Sequence, residues 1–433
     1  MRINSFKNGL VLIGLIFMLT ISGCKNKKTD INSNDKNEDK VAADENVNSK
    51  QADYLSDFEF AFDTLKTYYP FFDVNKKLND IDFLSMHDEF KSWISECKND
   101  DEFFDTMDEI LSYVNNGHTN MVPIEEGNFF HTIYFDSTFN PELKRISETY
   151  EKPLVKERYK IVSDYKLEND AHEGSGEKET SNVIAKDYVD GRIAYIKVKE
   201  MRIKRDKDIE VLNKYLDKIK NYDALIIDIQ GNPGGDSTYW QDYLIPKITN
   251  RPLTQNVYSF MKKGKIIEDI FELYGYEDVT EDVMEELDFP KVTSEIAKKF
   301  DKYSFEAITV EPSEKSINFG GNIYLLVDRD VFSSAEALAS FAKETGFATL
   351  VGEKTGGDGI GTDPYQVDLP KTGFVMRFPK ELGITENGVI DELEKTTPDI
   401  KIISNEEELN EDSKKKVLEI EDENAEKDMK KAS

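Results

Sequence analysis

From Ala224 to Ile229 every residue but Asp228 is apolar, and Gly231, Gly234 and Gly235 follow at once. A run that short, closed by glycines, reads as a buried strand. Its surroundings keep the same rhythm. Ile193 to Val198 is a strand, and Ile209, Leu212, Leu216 and Ile219 line one face of a helix. Ile323 to Val327 is again a strand, Ser333 to Thr345 a helix, and Ala348 to Val351 a further strand. Strands alternating with helices predict a layered α/β core, here spanning 181–403.

The part before it has another pattern. Phe58, Phe62, Leu65 and Tyr69 recur at helical spacing, as do Phe103, Phe104, Met107, Ile110, Leu111 and Val114, so 53–123 reads as an N-terminal helical subdomain. Asn115, Asn116 and Gly117 stop its last helix, with His118 just beyond. Residues 124–180 hold short Tyr, Phe and Ile runs, then a Glu, Ser and Gly stretch from Glu168 to Thr180. Irregular strands and a surface loop are expected there. The C-terminal tail, 404–433, is nearly all charged, and Leu409, Val417, Leu418 and Ile420 are too sparse to mark a core face. A solvated helix or disorder is expected.

The first residues bear on compartment. Basic Arg2 and Lys7, an apolar run from Gly9 to Ile21, then Ser22, Gly23 and Cys24 compose a secretory signal peptide over 1–23. The order Ile21, Ser22, Gly23, Cys24 resembles the lipobox of bacterial lipoproteins. That resemblance implies lipid on Cys24 and a place on the extracytoplasmic face of the cell membrane; an ordinary secretory signal or a short anchor helix is the alternative. Residues 24–52 carry almost no large apolar side chain and are expected to be a disordered tether. Cys97 is the one other cysteine, so a lipidated Cys24 leaves no intrachain disulfide. A formal charge of -30 would repel phosphate, which excludes a nucleic-acid partner.

Two readings compete for Ser333, Ser334, Ala335, Glu336. The sequence spells a helix capping box. It also puts a serine at a strand-to-helix turn, where unpaired backbone N–H groups can hold a developing oxyanion, although the Gly-x-Ser-x-Gly spelling is absent. Company for the second reading comes from Gln230 to Gly235, at the C-terminal edge of the sheet where α/β sites form, and from Gly352 to Gly357. Neither loop spells a phosphate-binding or dinucleotide motif. No cysteine or paired-histidine cluster has metal-ligand spacing, so neither a metal nor another cofactor is expected.

Ile226 to Asp228 with the Asn232 to Gly235 loop, Val331 to Glu336, and Gly352 to Gly357 together resemble the C-terminal-processing (tail-specific) and tricorn-like serine peptidases, over about residues 54–403. The resemblance implies a ClpP/crotonase-like layered core, Ser333 as nucleophile, and an oxyanion hole from the backbone of Gly234 or Gly235 and of Ser334. In the C-terminal-processing branch a base lysine occupies the position of Asp358 here, so a Ser-Lys dyad is not expected. The tricorn-like branch draws a histidine from the N-terminal region, which matches His118. Its charge network is completed by a glutamate upstream of a Pro-Asp pair, here Glu392 or Glu394 before Pro398 and Asp399, with the spacing favouring Glu392. The function implied is acyl-enzyme hydrolysis of a peptide or protein substrate. An inactive peptide-binding relative and a serine esterase or amidase are the alternatives.

Overall fold

The computed structural model describes residues 36–135, 141–162, 165, 182–203, 205–287 and 299–432. Two units divide the chain, Met1–Asn48 and Ser49–Ser433. In the first, the described residues are the start of a helix, α1 (Lys36–Tyr68). The tether expected to lack order through residue 52 is therefore helical from Lys36. Glu38, Lys40, Ala42 and Ala43 are good helix formers, and they run on without a breaker into the apolar-faced part of α1. Cys24 and the signal segment lie outside the described residues.

In the second unit, α1 is followed by α2 (Phe72–Asn79), α3 (His87–Glu96) and α4 (Asp100–Ser112). Asn99 starts α4 by accepting the Glu102 N–H at 2.9 Å. Phe58, Leu65, Phe90, Phe103, Met107 and Ile110 interlock in one apolar cluster, as the helical spacing requires. A two-residue strand, β1 (Asn120–Met121), comes next. Then the sequence expectation fails. Three helices stand there among the described residues: α5 (Gly127–Phe135), α6 (Pro141–Glu151) and α7 (Pro153–Tyr159). The aromatic residues that suggest strands instead bury at helical intervals, Phe130 with Tyr134 and Ile146 with Tyr150, because packing overrides intrinsic β preference. The loop expected at 168–180 lies outside the described residues.

The core begins with β2 (Val183–Val189), β3 (Ile193–Val198), α8 (Asp206–Ile219) and β4 (Ala224–Asp228). It continues through β5 (Leu253–Met261), α9 (Glu268–Leu273), β6 (Glu277–Asp278), α10 (Glu281–Leu287), β7 (Lys302–Val310), β8 (Asn322–Val327), α11 (Ser334–Thr345) and β9 (Thr349–Gly352). It ends with β10 (Tyr365–Asp368), β11 (Val375–Phe378), β12 (Glu381–Thr385), α12 (Asp391–Glu394), β13 (Ile400–Lys401) and α13 (Glu406–Ala432). The main sheet has the order β13-β9-β8-β4-β3-β2, parallel except for the antiparallel edge β2. A second sheet, β12-β5-β7-β6, is antiparallel, and β1-β11-β10 forms a third. This is the expected α/β core with a helical N-terminal region.

Both faces of the main sheet are buried. Ala194, Ile196, Leu225, Ile227, Leu325 and Leu350 pack with residues of α8 and α11. The opposite face, Ile193, Tyr195, Ala224, Ile226, Tyr324, Leu326 and Val351, packs with Val417 of α13. The tail is thus no solvated appendage. Its inner stripe reads Leu409, Ser413, Val417, Glu421, all buried at intervals of four, so small and polar residues share the face with the two apolar ones. Hydrogen bonds compensate: the Tyr324 hydroxyl and the Asn322 amide donate to Glu421 at 2.6 and 2.8 Å, and Asn410 donates to Asp228 at 2.7 Å. Among the described residues no helix is long and apolar enough to cross a membrane.

Candidate active site

Where β8 ends, the chain turns sharply into α11, and Ser333 occupies the turn with φ 56° and ψ -127°. A residue with a side chain pays for that backbone in strain and keeps it only where its neighbours fix it. They do: Ser333 donates its N–H to the Gly357 carbonyl at 3.3 Å, and its own carbonyl accepts from Ala337 at 2.9 Å. The Ser333 side chain makes no cap bond to α11. The capping-box reading therefore fails, and Glu336 confirms it by turning inward to accept the Thr396 N–H at 2.9 Å. The hydroxyl instead meets His118, with Oγ 3.1 Å from Nε2.

His118 arrives from the helical region. Its loop is pinned on one side by α4 and on the other by β1, which pairs Asn120 with Arg377 and Met121 with Met376 of β11. Within it, Asn116 Oδ1 accepts from the His118 N–H at 2.9 Å, and the imidazole lies 4.6 Å, centroid to centroid, from the Phe332 ring. The far ring nitrogen, Nδ1, lies 2.7 Å from Asp358 Oδ2. With a carboxylate accepting at Nδ1, the imidazole proton sits there and Nε2 turns its lone pair to the Ser333 hydroxyl. The other histidines are elsewhere engaged: His87 with Glu59 and Asp88, His131 with Glu151; His172 lies outside the described residues.

Asp358, which the sequence reading did not assign, is the carboxylate that touches the histidine, and Glu392, expected to complete the charge network, joins it through Asn116. Glu392 stands one step back: Asn116 Nδ2 donates to Asp358 Oδ2 at 2.7 Å and to Glu392 Oε1 at 3.2 Å. Burial first, and then the adjacent Asp358 charge, push the Glu392 carboxyl up to about 8. Burial likewise raises Glu336, and raises Asp391 well above the usual carboxylate range, with Glu336 adding to the latter. Asp391 Oδ2 accepts the Gly359 N–H at 2.5 Å and so holds the loop that presents Asp358. The sequence did carry one signal for Asp358: an acid replaces a base at a position facing the nucleophile. Lys343 is drawn away to Asp399 at 3.0 Å.

The glycine loop after β4 lies directly against the serine. A Cβ on Gly234, at φ 103°, would stand 2.7 Å from Ser333 Cβ, and one on Gly235, at φ 126°, would stand 2.2 Å from the Met201 carbonyl oxygen; only glycine fits either place. Gly234 gives its N–H to Asn232 Oδ1 at 2.9 Å, which removes it as an oxyanion donor. The N–H groups of Gly235 and Ser334 make no bond among the described residues. A cleft of about 500 Å³ opens beside these loops, lined by Gly117, Gly231, Pro233, Phe332, Gly356, Glu392 and Lys395, among others. Among the described residues no cluster of His, Cys, Asp or Glu is arranged to hold a metal ion.

Set against known proteins, residues 192–402 match the model of Peptidase family S41, and residues 50–112 match that of the Tricorn protease C1 domain. No curated protein matches the sequence. Two solved structures share the fold along almost their whole length. One is a protein of Parabacteroides merdae ATCC 43184 described as a candidate peptidase, at 17% identity and TM-score 0.53, covering 84% of this chain and 96% of the other. The second is mature CPAF complexed with lactacystin, at 13% identity and TM-score 0.53, covering 85% and 97%. The chain is accordingly a serine peptidase by class. More particularly, the stretch that matches peptidase family S41 contains Ser333, Asp358 and Glu392, whereas His118 falls outside both matched stretches.

The buried Glu392 has a measurable consequence. Its folded pKa of about 8 lies above the ordinary 4.5, so the folded state holds a proton that the unfolded chain releases, and stability falls as pH rises between those values. Glu392→Gln removes that loss. The difference in Tm between Glu392→Gln and the parent chain should therefore grow in the variant's favour from pH 5 to pH 8, and a gap that stays constant would contradict this assignment.

Proposed function

We propose that the chain is an extracytoplasmic, lipid-anchored peptidase working through an acyl-enzyme. Ser333 is the nucleophile, His118 the general base and Asp358 the carboxylate that orients and stabilises the imidazolium. The observation that carries this reading is the unbroken hydrogen-bonded line from Asp358 through His118 to Ser333, at 2.7 and 3.1 Å. His118 takes the hydroxyl proton as Ser333 attacks the peptide carbonyl, then gives it to the leaving amine. Water, activated by the same imidazole, releases the acyl group. The N–H groups of Gly235 and Ser334 receive the developing oxyanion. A poised base favours hydrolysis over a merely binding role, because a binder has no use for a serine held in strain against an imidazole.

A fluorophosphonate probe should label the chain on Ser333. Labelling should vanish in Ser333→Ala and slow by about 1000-fold or more in His118→Ala. Rapid labelling of His118→Ala would reassign the base. Asp358→Lys should also lose activity, since an ammonium would then face the imidazole; a gain would favour a lysine dyad.

The lipid anchor rests on Ile21, Ser22, Gly23 and Cys24. Expressed in a bacterium that lipidates its own lipoproteins, the full chain should fractionate with membranes, and Cys24→Ala should release it. Equal fractionation of the two would point to an ordinary signal or anchor helix.

A further inference from the structure

Among the described residues of the cleft, Lys395 is a cation without a counter-ion. It follows α12 with φ 55°, a backbone that residues other than glycine rarely adopt. The turn is fixed from both sides: Lys395 donates its N–H to the Asp391 carbonyl at 2.8 Å, and Thr396 donates to Glu336 Oε1 and Thr355 Oγ1, both at 2.9 Å. The half-buried side chain runs over Gly357, with Cγ only 3.2 Å from where a Cβ on that glycine would stand. Gly357 is the residue whose carbonyl accepts the Ser333 N–H. The lysine stem is thus two contacts from the nucleophile.

The other charges of the cleft are accounted for. Arg329 pairs with Glu353 at 3.5 Å and Glu406 at 3.1 Å. Asp330 sits exposed at the rim. Glu392 is buried and accepts a hydrogen bond from Asn116, and burial raises its pKa, which disfavours its charged form. Among the described residues Lys395 makes neither an ion pair nor a hydrogen bond through its ammonium, although Glu392 feels its charge. A lysine with a strained backbone and no ion-pair or hydrogen-bond partner, lining the cleft together with Phe332 next to the nucleophile, lacks the anion that would complete it.

We infer that Lys395 is a specificity-determining residue that binds a carboxylate of the peptide substrate, from an acidic side chain or the chain's own C-terminus. The inference rests on the peptidase reading above and deepens it. The acidic surface as a whole does not oppose it, since exposed charges beyond a Debye length are screened, whereas the cleft ammonium acts at contact.

Binding to the Ser333→Ala chain tests it without requiring turnover. The probes are fluorescein-labelled decapeptides in matched pairs, Glu against Gln at each position and free carboxylate against amide at the C-terminus. One kind of carboxylate should bind about tenfold or more tighter than its neutral mate at low salt. Lys395→Met should erase that difference while binding the neutral peptides as before, and Lys395→Arg should preserve it. A preference confined to Glu over Gln identifies an acidic side chain as the ligand, and one confined to acid over amide identifies the chain end. Equal binding of all pairs, no binding of any peptide, or a preference that survives Lys395→Met overturns the inference. Absent labelling of Ser333 by fluorophosphonate would strike the serine reading alone.

Discussion

One imidazole joins two separately built parts of this molecule. His118 hangs between the last helix of the N-terminal region and a two-residue strand, yet its ring is held by groups from the core: Asp358 at Nδ1, Ser333 at Nε2 and the Phe332 ring alongside. Neither part holds a complete site. The helical region supplies a base with nothing to deprotonate, and the sheet supplies a strained hydroxyl with no acceptor. Positive φ values concentrate accordingly: of seven such non-glycine residues described, Asn115, Ser333, Asp358 and Lys395 all belong to this site. Strain of this kind survives only where packing overdetermines the backbone.

That packing comes from the sheet. A parallel sheet presents apolar side chains on both faces and must have both covered. Helices α8 and α11 cover one, and α13 covers the other. Helix α13 also reaches the site, since Asn410 donates to Asp228 at 2.7 Å and to Gln230 at 2.6 Å, just where β4 gives way to the glycine loop. The charged end of the chain is thereby part of the scaffold that fixes the oxyanion loop.

Much of this could be read from the residues. The apolar run ending in Asp228 and the strand-helix alternation specified the layered core, because periodicity records burial directly. Ser333 and His118 were legible through the family resemblance and the helix stop before the histidine. Three features were not. Residues 127–159 have strand-like composition but bury Phe130, Tyr134, Ile146 and Tyr150 at helical intervals. Helix α13 buries a serine and a glutamate in line with a leucine and a valine, so no apolar stripe announces it. Asp358 and Glu392 both lie near His118, and only the fold decides which carboxylate touches Nδ1; spacing in the chain carries no such distance.

The central claim is that Asp358, and not Glu392, stands behind the base. It is tested most directly by the rate at which a fluorophosphonate acylates Ser333 in Asp358→Asn and in Glu392→Gln, measured side by side with the parent chain. The account predicts a fall of about 10⁴-fold for Asp358→Asn, as for loss of a triad carboxylate, and a change within about tenfold for Glu392→Gln, whose role is mediated by Asn116. The reverse ranking, with Glu392→Gln crippled and Asp358→Asn nearly intact, would contradict it.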